Sequence, residues 1–251
     1  MNRFLKTPHL PASAVRLCAV AKGQPYILAA LQKLGIACIE VPEHPELAQP
    51  VRTHPDMLLH HLGGEDIYAA SYSPPLILAL QSAGFKTKVM QEPLGGAYPF
   101  DVRLNCFLLA NYLFCNKKTV DTFLLNYYQS NGAEVVHSKQ GYAKCSVCIV
   151  DENSIITEDA GIYRAAVTAK INALLILKGS VSLPGYDYGF IGGCSGKLDK
   201  HTLAFCGDIR LHPNYEKINL FCLERGVNTY SLWNGPLTDI GGILPLMEAA
   251  E

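Results

Sequence analysis

The thiols, carboxylates and imidazoles of this chain gather at a few places that could support nucleophilic chemistry. Cys194 lies in Gly189-Phe-Ile-Gly-Gly-Cys194-Ser-Gly, the most glycine-rich stretch of the sequence. Glycines let a backbone approach a ligand closely and expose its amides. A thiolate at Cys194, stabilised by a neighbouring cation, would then attack an electrophilic carbon, with Ser195 beside it. The competing reading is a tight loop around a small buried thiol. Cys145 sits next to Lys144, whose ammonium would favour a thiolate, although sequence neighbours on a strand face opposite sides. Cys145 and Cys148 form a lone CxxC. The second pair that a four-thiolate zinc site needs is missing, so neither a metal nor a cofactor is expected.

Polar groups that could hold a ligand lie elsewhere along the chain. Asp101, Arg103 and Asn105 alternate, and on a strand they would share one face. Asp101 suits a cationic group, and Arg103 suits bidentate grip of a carboxylate. The alternative is the exposed polar face of an edge strand. Asp239 offers a second carboxylate for a ligand, or a turn. His54 and Asp56 straddle Pro55, and imidazole suits proton transfer near neutral pH. His-Pro also occurs at His44 and His212, and such pairs serve equally as extended turns. The loop Pro184-Gly-Tyr-Asp-Tyr-Gly carries tyrosines that could line a pocket.

These residues recur because the chain itself repeats. Five segments join an amphipathic helical stretch to a helix-stopping residue and a short apolar strand. The stops are Gly35, Gly84, Gly132, Asn172 and Gly226, residue types that most readily take the left-handed conformation at a helix end. Upstream of four helices lie two strand-like runs with a polar turn. Lys144-Cys-Ser-Val-Cys-Ile-Val-Asp151 aligns on Gly193-Cys-Ser-Gly-Lys-Leu-Asp199 with one residue skipped, which places Asp151 and Asp199 in equivalent hairpin turns. Phe100–Leu109 and His54–Ala70 supply the earlier copies. The fifth unit is split, with a first strand from Thr238–Leu246 and the rest from Ala14–Val41. A unit shared by both ends closes a ring and removes exposed sheet edges.

Composition fits one globular domain over residues 1–251, with 49% apolar and 17% charged residues. The net charge of −1 comes without a basic block, which argues against nucleic acid as a partner. No apolar run is long enough to span a membrane. The first residues lack the apolar core of a signal peptide, so a cytoplasmic location is expected. Nine cysteines, an odd number, argue against a disulfide framework. Cys18, Cys38 and Cys222 fall in apolar patterns and read as small buried hydrophobes. Oligomeric state is not legible.

Five strand-strand-helix-strand units with a split last unit resemble the pentein fold of the guanidine-modifying enzymes. That superfamily holds arginine deiminases, amidinotransferases and dimethylarginine hydrolases, and a ribosome anti-association factor without catalysis. Within it the chain is most similar to a bacterial family described only by that fold. The resemblance implies an α/β five-unit pseudo-symmetric propeller whose first and last segments share one unit, with functional groups at the starts of the first strands, around one mouth of a central channel. Those positions are His54 and Asp56; Asp101, Arg103 and Asn105; Lys144, Cys145 and Ser146; Gly193, Cys194 and Ser195; Thr238 and Asp239. The implied activity is binding of a small guanidino or amino-acid-like ligand. If the protein is an enzyme, it would be a cysteine-dependent amidine or guanidine hydrolase or an amidinotransferase. Cys194 would then be the nucleophile, His54 the proton carrier, and Asp101 and Asp239 the holders of the substrate cation. Arg103, Asn105, Cys145 and Ser195 would complete the binding set. The alternative is a non-catalytic pentein that binds a macromolecule. The sequence departs from the enzymes in three ways. Asn234–Asp239 has no cysteine, Lys144-Cys-Ser-Val147 stands where they carry Glu-Gly-Gly-Asp, and Asp199 precedes His201 where they have His-x-Asp.

Overall fold

The computed structural model describes residues 1–250 and shows one unit built five times. In chain order the elements begin with β1 (Asn2–Phe4), β2 (Val15–Ala21), α1 (Pro25–Lys33) and β3 (Ala37–Val41). A one-turn helix α2 (Pro55–Leu58) leads into β4 (Leu59–Gly63), β5 (Asp66–Ala69), α3 (Pro74–Ser82) and β6 (Lys86–Val89). The next unit is β7 (Phe107–Leu109), β8 (Tyr112–Cys115), α4 (Thr122–Ser130) and β9 (Glu134–His137). It is followed by β10 (Val147–Asp151), β11 (Ser154–Thr157), α5 (Ala160–Thr168) and β12 (Asn172–Leu175). The last is β13 (Ser195–Asp199), β14 (Thr202–Phe205), α6 (Tyr215–Leu223) and β15 (Asn228–Ser231), before the terminal strand β16 (Leu244–Ala249).

Each unit pairs its first two strands antiparallel and returns through the helix to a parallel third. The long helices are nine residues each, and each buries one narrow stripe at i and i+4: Ile27 and Leu31, Leu76 and Leu80, Leu124 and Tyr128, Ile162 and Ala166, Ile218 and Cys222. That spacing puts two side chains on one helical face, and burying a large apolar one contributes roughly 1.5–3 kcal/mol. The starts are set by proline at the first turn of α1 and α3 and by capping side chains. Asp159 accepts from the Gly161 and Ile162 amides at 2.7 and 2.8 Å, and Asp121 from Phe123 at 2.9 Å.

Four helices stop at the expected glycines, which all have positive φ. The fourth stop is not Asn172, which is already the first residue of β12. Lys170 takes the left-handed conformation instead, with φ of 60°. Asp151 and Asp199 do occupy matching hairpin turns, accepting the amides of Asn153 and His201 at 2.8 and 2.6 Å.

The split unit closes the ring. β16 lies between β1 and β2, with Leu244 opposite Ala19 and Asn2 opposite Ala249, so both ends of the chain share one sheet. The buried Glu248 carboxylate fastens it by accepting from Arg3 Nε at 2.9 Å and from the Ala12 and Ser13 amides at 2.6 and 2.9 Å. β1 extends this sheet beyond the three strands that the repeat pattern requires. Among the described residues no helix is long and apolar enough to cross a membrane.

Residues 100–106 are turns, not the strand that alternation suggested. The Asn105 amide donates back to Val102 O at 3.0 Å and that of Cys106 to Leu104 O at 2.9 Å, so β7 starts only at Phe107. Asp101, Arg103 and Asn105 therefore do not share a face.

Candidate functional site

The segments entering the first strands meet at one mouth of the ring, bound in a closed circuit of hydrogen bonds. The Asp56 amide donates to Gly241 O at 3.3 Å. Asn105 Nδ2 donates to Asp56 O at 3.1 Å, and Asn105 Oδ1 accepts the Lys144 and Cys145 amides at 2.8 and 3.1 Å. Gly193 N donates to Cys145 O at 3.1 Å, and Gly193 O accepts the Ile240 and Gly242 amides at 2.9 and 2.7 Å. All five units contribute. Gly193 has to be glycine, because a Cβ there would run into the Asp239 carboxylate.

Above this circuit lies a cavity of about 250 Å³. At its buried end are His54, Cys145 and Asp239, each under a tenth exposed. Tyr142, Tyr188 and Phe190 form aromatic walls, and half-exposed Tyr186 and Asp187 reach the open end. Asp239 is held by two backbone amides, Phe190 N to Oδ2 at 2.8 Å and Gly241 N to Oδ1 at 3.0 Å. His54 Nδ1 stands 3.7 Å from Asp239 Oδ1, an ion pair when the imidazole is protonated. Asn105 Nδ2 also donates to Cys145 Sγ at 2.9 Å. Two small spaces of about 10 Å³ lie beside Lys144, both bordered by His9. Each is room for one water molecule.

Burial dominates the electrostatics. It pushes the Asp56 carboxyl up to about 6, with partial relief from His54 and Lys144. Neither Asp56 oxygen has a hydrogen-bond partner. Burial, with Asp56 and Asp239 adding to it, pushes the Cys145 thiol well above its ordinary value. Half-buried Glu158 accepts the Ile191 amide at 2.8 Å, and desolvation pushes its carboxyl up to about 8. Charge carried by these groups is disfavoured until an opposite charge arrives.

Several residues singled out from sequence lie elsewhere. Cys194 is fully buried and outside the cavity; its Sγ donates to Ile191 O at 3.3 Å, and burial pushes its thiol far up. The reason is a one-residue slip. Val147 and Ser195 start equivalent strands, each paired across a bulged hairpin, so the counterpart of Cys145 is Gly193 and that of Cys194 is the buried Ser146. Ser195 begins β13 and borders one of the small spaces beside Lys144. Asp101 stands one step back, accepting the Tyr142 hydroxyl at 2.6 Å. Arg103 points away and pairs with Glu92 at 2.7 Å and Asp121 at 3.2 Å. Asn105 reaches Cys145 but not the cavity. Cys148 packs in a different apolar cluster from Cys145, so the CxxC does not form one site. Among the described residues no three His, Cys, Asp or Glu side chains group as metal ligands.

Met57, Tyr142, Phe190 and Glu158 were not picked out from the sequence. Tyr142 carried a signal all the same: it lies three residues before Cys145, and the Ser146 amide donates to its carbonyl at 3.0 Å. One tight turn thus presents both side chains to the same space.

Solved structures that share this architecture include amidinotransferases and DDAH. An inosamine-phosphate amidinotransferase from Streptomyces griseus superposes with a TM-score of 0.60 at 11% identity, covering 99% of this chain and 98% of that one. An amidinotransferase of the saxitoxin biosynthetic pathway from Microseira wollei gives 0.59 at 9%, covering 98% of each chain. DDAH from Pseudomonas aeruginosa, complexed with citrulline, gives 0.56 at 7%, covering 94% of this chain and 99% of that one. At such identities the likeness is one of fold, and the fold is the pentein α/β propeller of the guanidino-modifying enzymes. No curated protein matches the sequence. Residues 20–244 match the profile of the family of unknown function DUF6873, and the chain belongs to that family.

Proposed function

We propose that the cavity binds a small cation bearing a guanidino or amidino group, and that Cys145 is the thiol for any covalent step. The observation that carries this is the convergence of Asp239, His54 and Cys145 at the buried end of an aromatic-walled cavity. Its lining includes Asp187 and Asp239 but no lysine or arginine. A buried carboxylate already held by two amides orients a planar cation, and aromatic faces add cation–π attraction. Cys194 has no part in this reading.

In a hydrolytic cycle Cys145 Sγ would bond to the amidine carbon while its proton passes to Asp56. The carbon–nitrogen bond would then break, with the amine leaving as it takes a proton from His54. Water would add to the thiouronium carbon and give one proton to His54. As the ureido product leaves and the carbon–sulfur bond breaks, Asp56 would return its proton to Cys145 Sγ and the hydroxyl proton would pass to solvent. Burial and the two nearby carboxylates favour the protonated thiol. A bound cation would offset Asp239 and lower the cost of a thiolate.

The resting state of Cys145 also favours a second reading, in which the cavity binds its cation without turnover. Labelling with a haloacetamidine against its neutral haloacetamide counterpart, followed by peptide mapping, tests both. Amidine-selective modification of Cys145, slowed by an arginine-like ligand, supports the nucleophile. Protection from heat by that ligand without selective labelling supports binding alone. Labelling of Cys145 no faster by the amidine than by the amide, with no ligand stabilisation, sinks both.

A further inference from the structure

Eight of the nine cysteines are buried, and Cys38 alone is half-buried. It is also the one whose sulfur meets another. β2 and β3 run parallel with Cys18 opposite Cys38, so both side chains stand on the same face of the sheet. Their sulfurs are 3.6 Å apart in a thiol–thiol hydrogen bond. No other pair of thiols is in such contact among the described residues.

We propose that Cys18 and Cys38 form a thiol–disulfide exchange pair, closing a reversible disulfide between β2 and β3 on reaction with a low-molecular-weight disulfide. Neighbouring strands lie about 4.8 Å apart, within the range of about 4.4–6.8 Å between Cα atoms that a disulfide spans. The sulfurs must close from 3.6 Å to about 2.05 Å, which side-chain rotation and a small strand adjustment supply. The roles follow from exposure. Half-buried Cys38 would meet the reagent, while the fully buried Cys18 has no thiol within reach other than Cys38. The hydrogen bond between the two thiols lowers the Cys38 thiol pKa, and with burial it raises that of Cys18, in keeping with an attacking and a resolving cysteine.

With oxidised glutathione the steps balance. Cys38 thiolate attacks one glutathione sulfur, the reagent's S–S bond breaks, and one glutathione leaves as thiolate. Cys18 then attacks Cys38 Sγ, and its proton goes to the sulfur of the second glutathione as that glutathione is expelled. The protein loses two hydrogens, and the reagent is reduced to two thiols. The bridge would tie together the two strands joined by α1.

The test is treatment of the full native chain with oxidised glutathione, then thiol counting and peptide mapping after acid quench. The expected result is loss of two of the nine thiols, one peptide pair linked through Cys18 and Cys38, and recovery on reduction. Cys38→Ser should show neither linkage nor glutathione, and Cys18→Ala should retain glutathione on Cys38. Because Cys18 belongs to the core, the unsubstituted chain decides by itself. Nine thiols retained, glutathione held stably on Cys38, or a linkage through any other cysteine would overturn the proposal. The outcome is independent of the cavity and its ligand.

Discussion

Asn105 holds Cys145 from two sides: its Nδ2 donates to the Cys145 sulfur at 2.9 Å, and its Oδ1 accepts the Cys145 amide at 3.1 Å. The same side chain bonds the Asp56 carbonyl and the Lys144 amide, so one residue fixes the thiol, its backbone and the neighbouring unit.

Replacing Asn105 with leucine strands two buried amides, each costing roughly 1–3 kcal/mol. Chemical denaturation of Asn105→Leu is expected to show a loss of about 3 kcal/mol. Asn105→Asp keeps the acceptor for both amides but sets another carboxylate beside the thiol. It should retain more stability than the leucine variant while slowing amidine labelling of Cys145.

Stability should fall as pH rises through the weakly acid range. Folding raises Asp56 from 3.8 to about 6 and Glu158 from 4.5 to about 8. The folded chain therefore keeps protons that the unfolded chain has released. These groups support stability fully below the unfolded values and lose that support as pH climbs to the folded ones. Thermal melts of Glu158→Gln, which keeps an acceptor for the Ile191 amide, should show a flatter pH dependence between about 5 and 8. An unchanged slope would contradict the assignment.

Lys170 spends backbone energy where its four counterparts do not. A left-handed non-glycine residue costs roughly 1 kcal/mol, and Lys170 has φ of 60° where the other helix ends carry glycine. Lys170→Gly is expected to raise stability by about 0.5–1 kcal/mol, because relief of strain outweighs the greater freedom of the unfolded chain. A destabilised variant would show that the lysine makes a compensating contribution.

Glu248→Gln should weaken the join between the chain's ends. The carboxylate accepts two amides and the Arg3 guanidinium, and charge-assisted bonds of this kind contribute roughly 1.5–3 kcal/mol. Hydrogen exchange is expected to quicken in β1 and in the Ala12–Ser13 turn before it changes elsewhere.

The architecture was legible because it rests on repeated features. An i/i+4 pair in each of five helices, glycine at four helix ends and aspartate in two hairpin turns each report on local backbone, and the copies correct one another. The Lys170 stop escaped because lysine gives no sign of left-handed backbone. The candidate site was less legible because it hinges on single-residue register. Moving one position along the segment before β13 exchanges a glycine facing the circuit for a cysteine facing the core. Arg103 was misplaced for a related reason: alternation has meaning only on a strand, and turns at Val102 and Leu104 precede β7. Asp239 and His54 were legible as chemistry, but their 3.7 Å approach depends on chain segments far apart in sequence.

The hydrogen-bonded circuit at the mouth has no loose end from which fraying could begin. Loop amides ordinarily exchange with solvent early, since they can open without disturbing a ladder. Here the amides of Asp56, Cys145, Gly193 and Gly242 are each anchored on a neighbouring repeat, so releasing one means parting two blades. Segments without regular secondary structure would thus resist opening as strongly as the strands, and the floor of the cavity would be among the last parts of the molecule to soften.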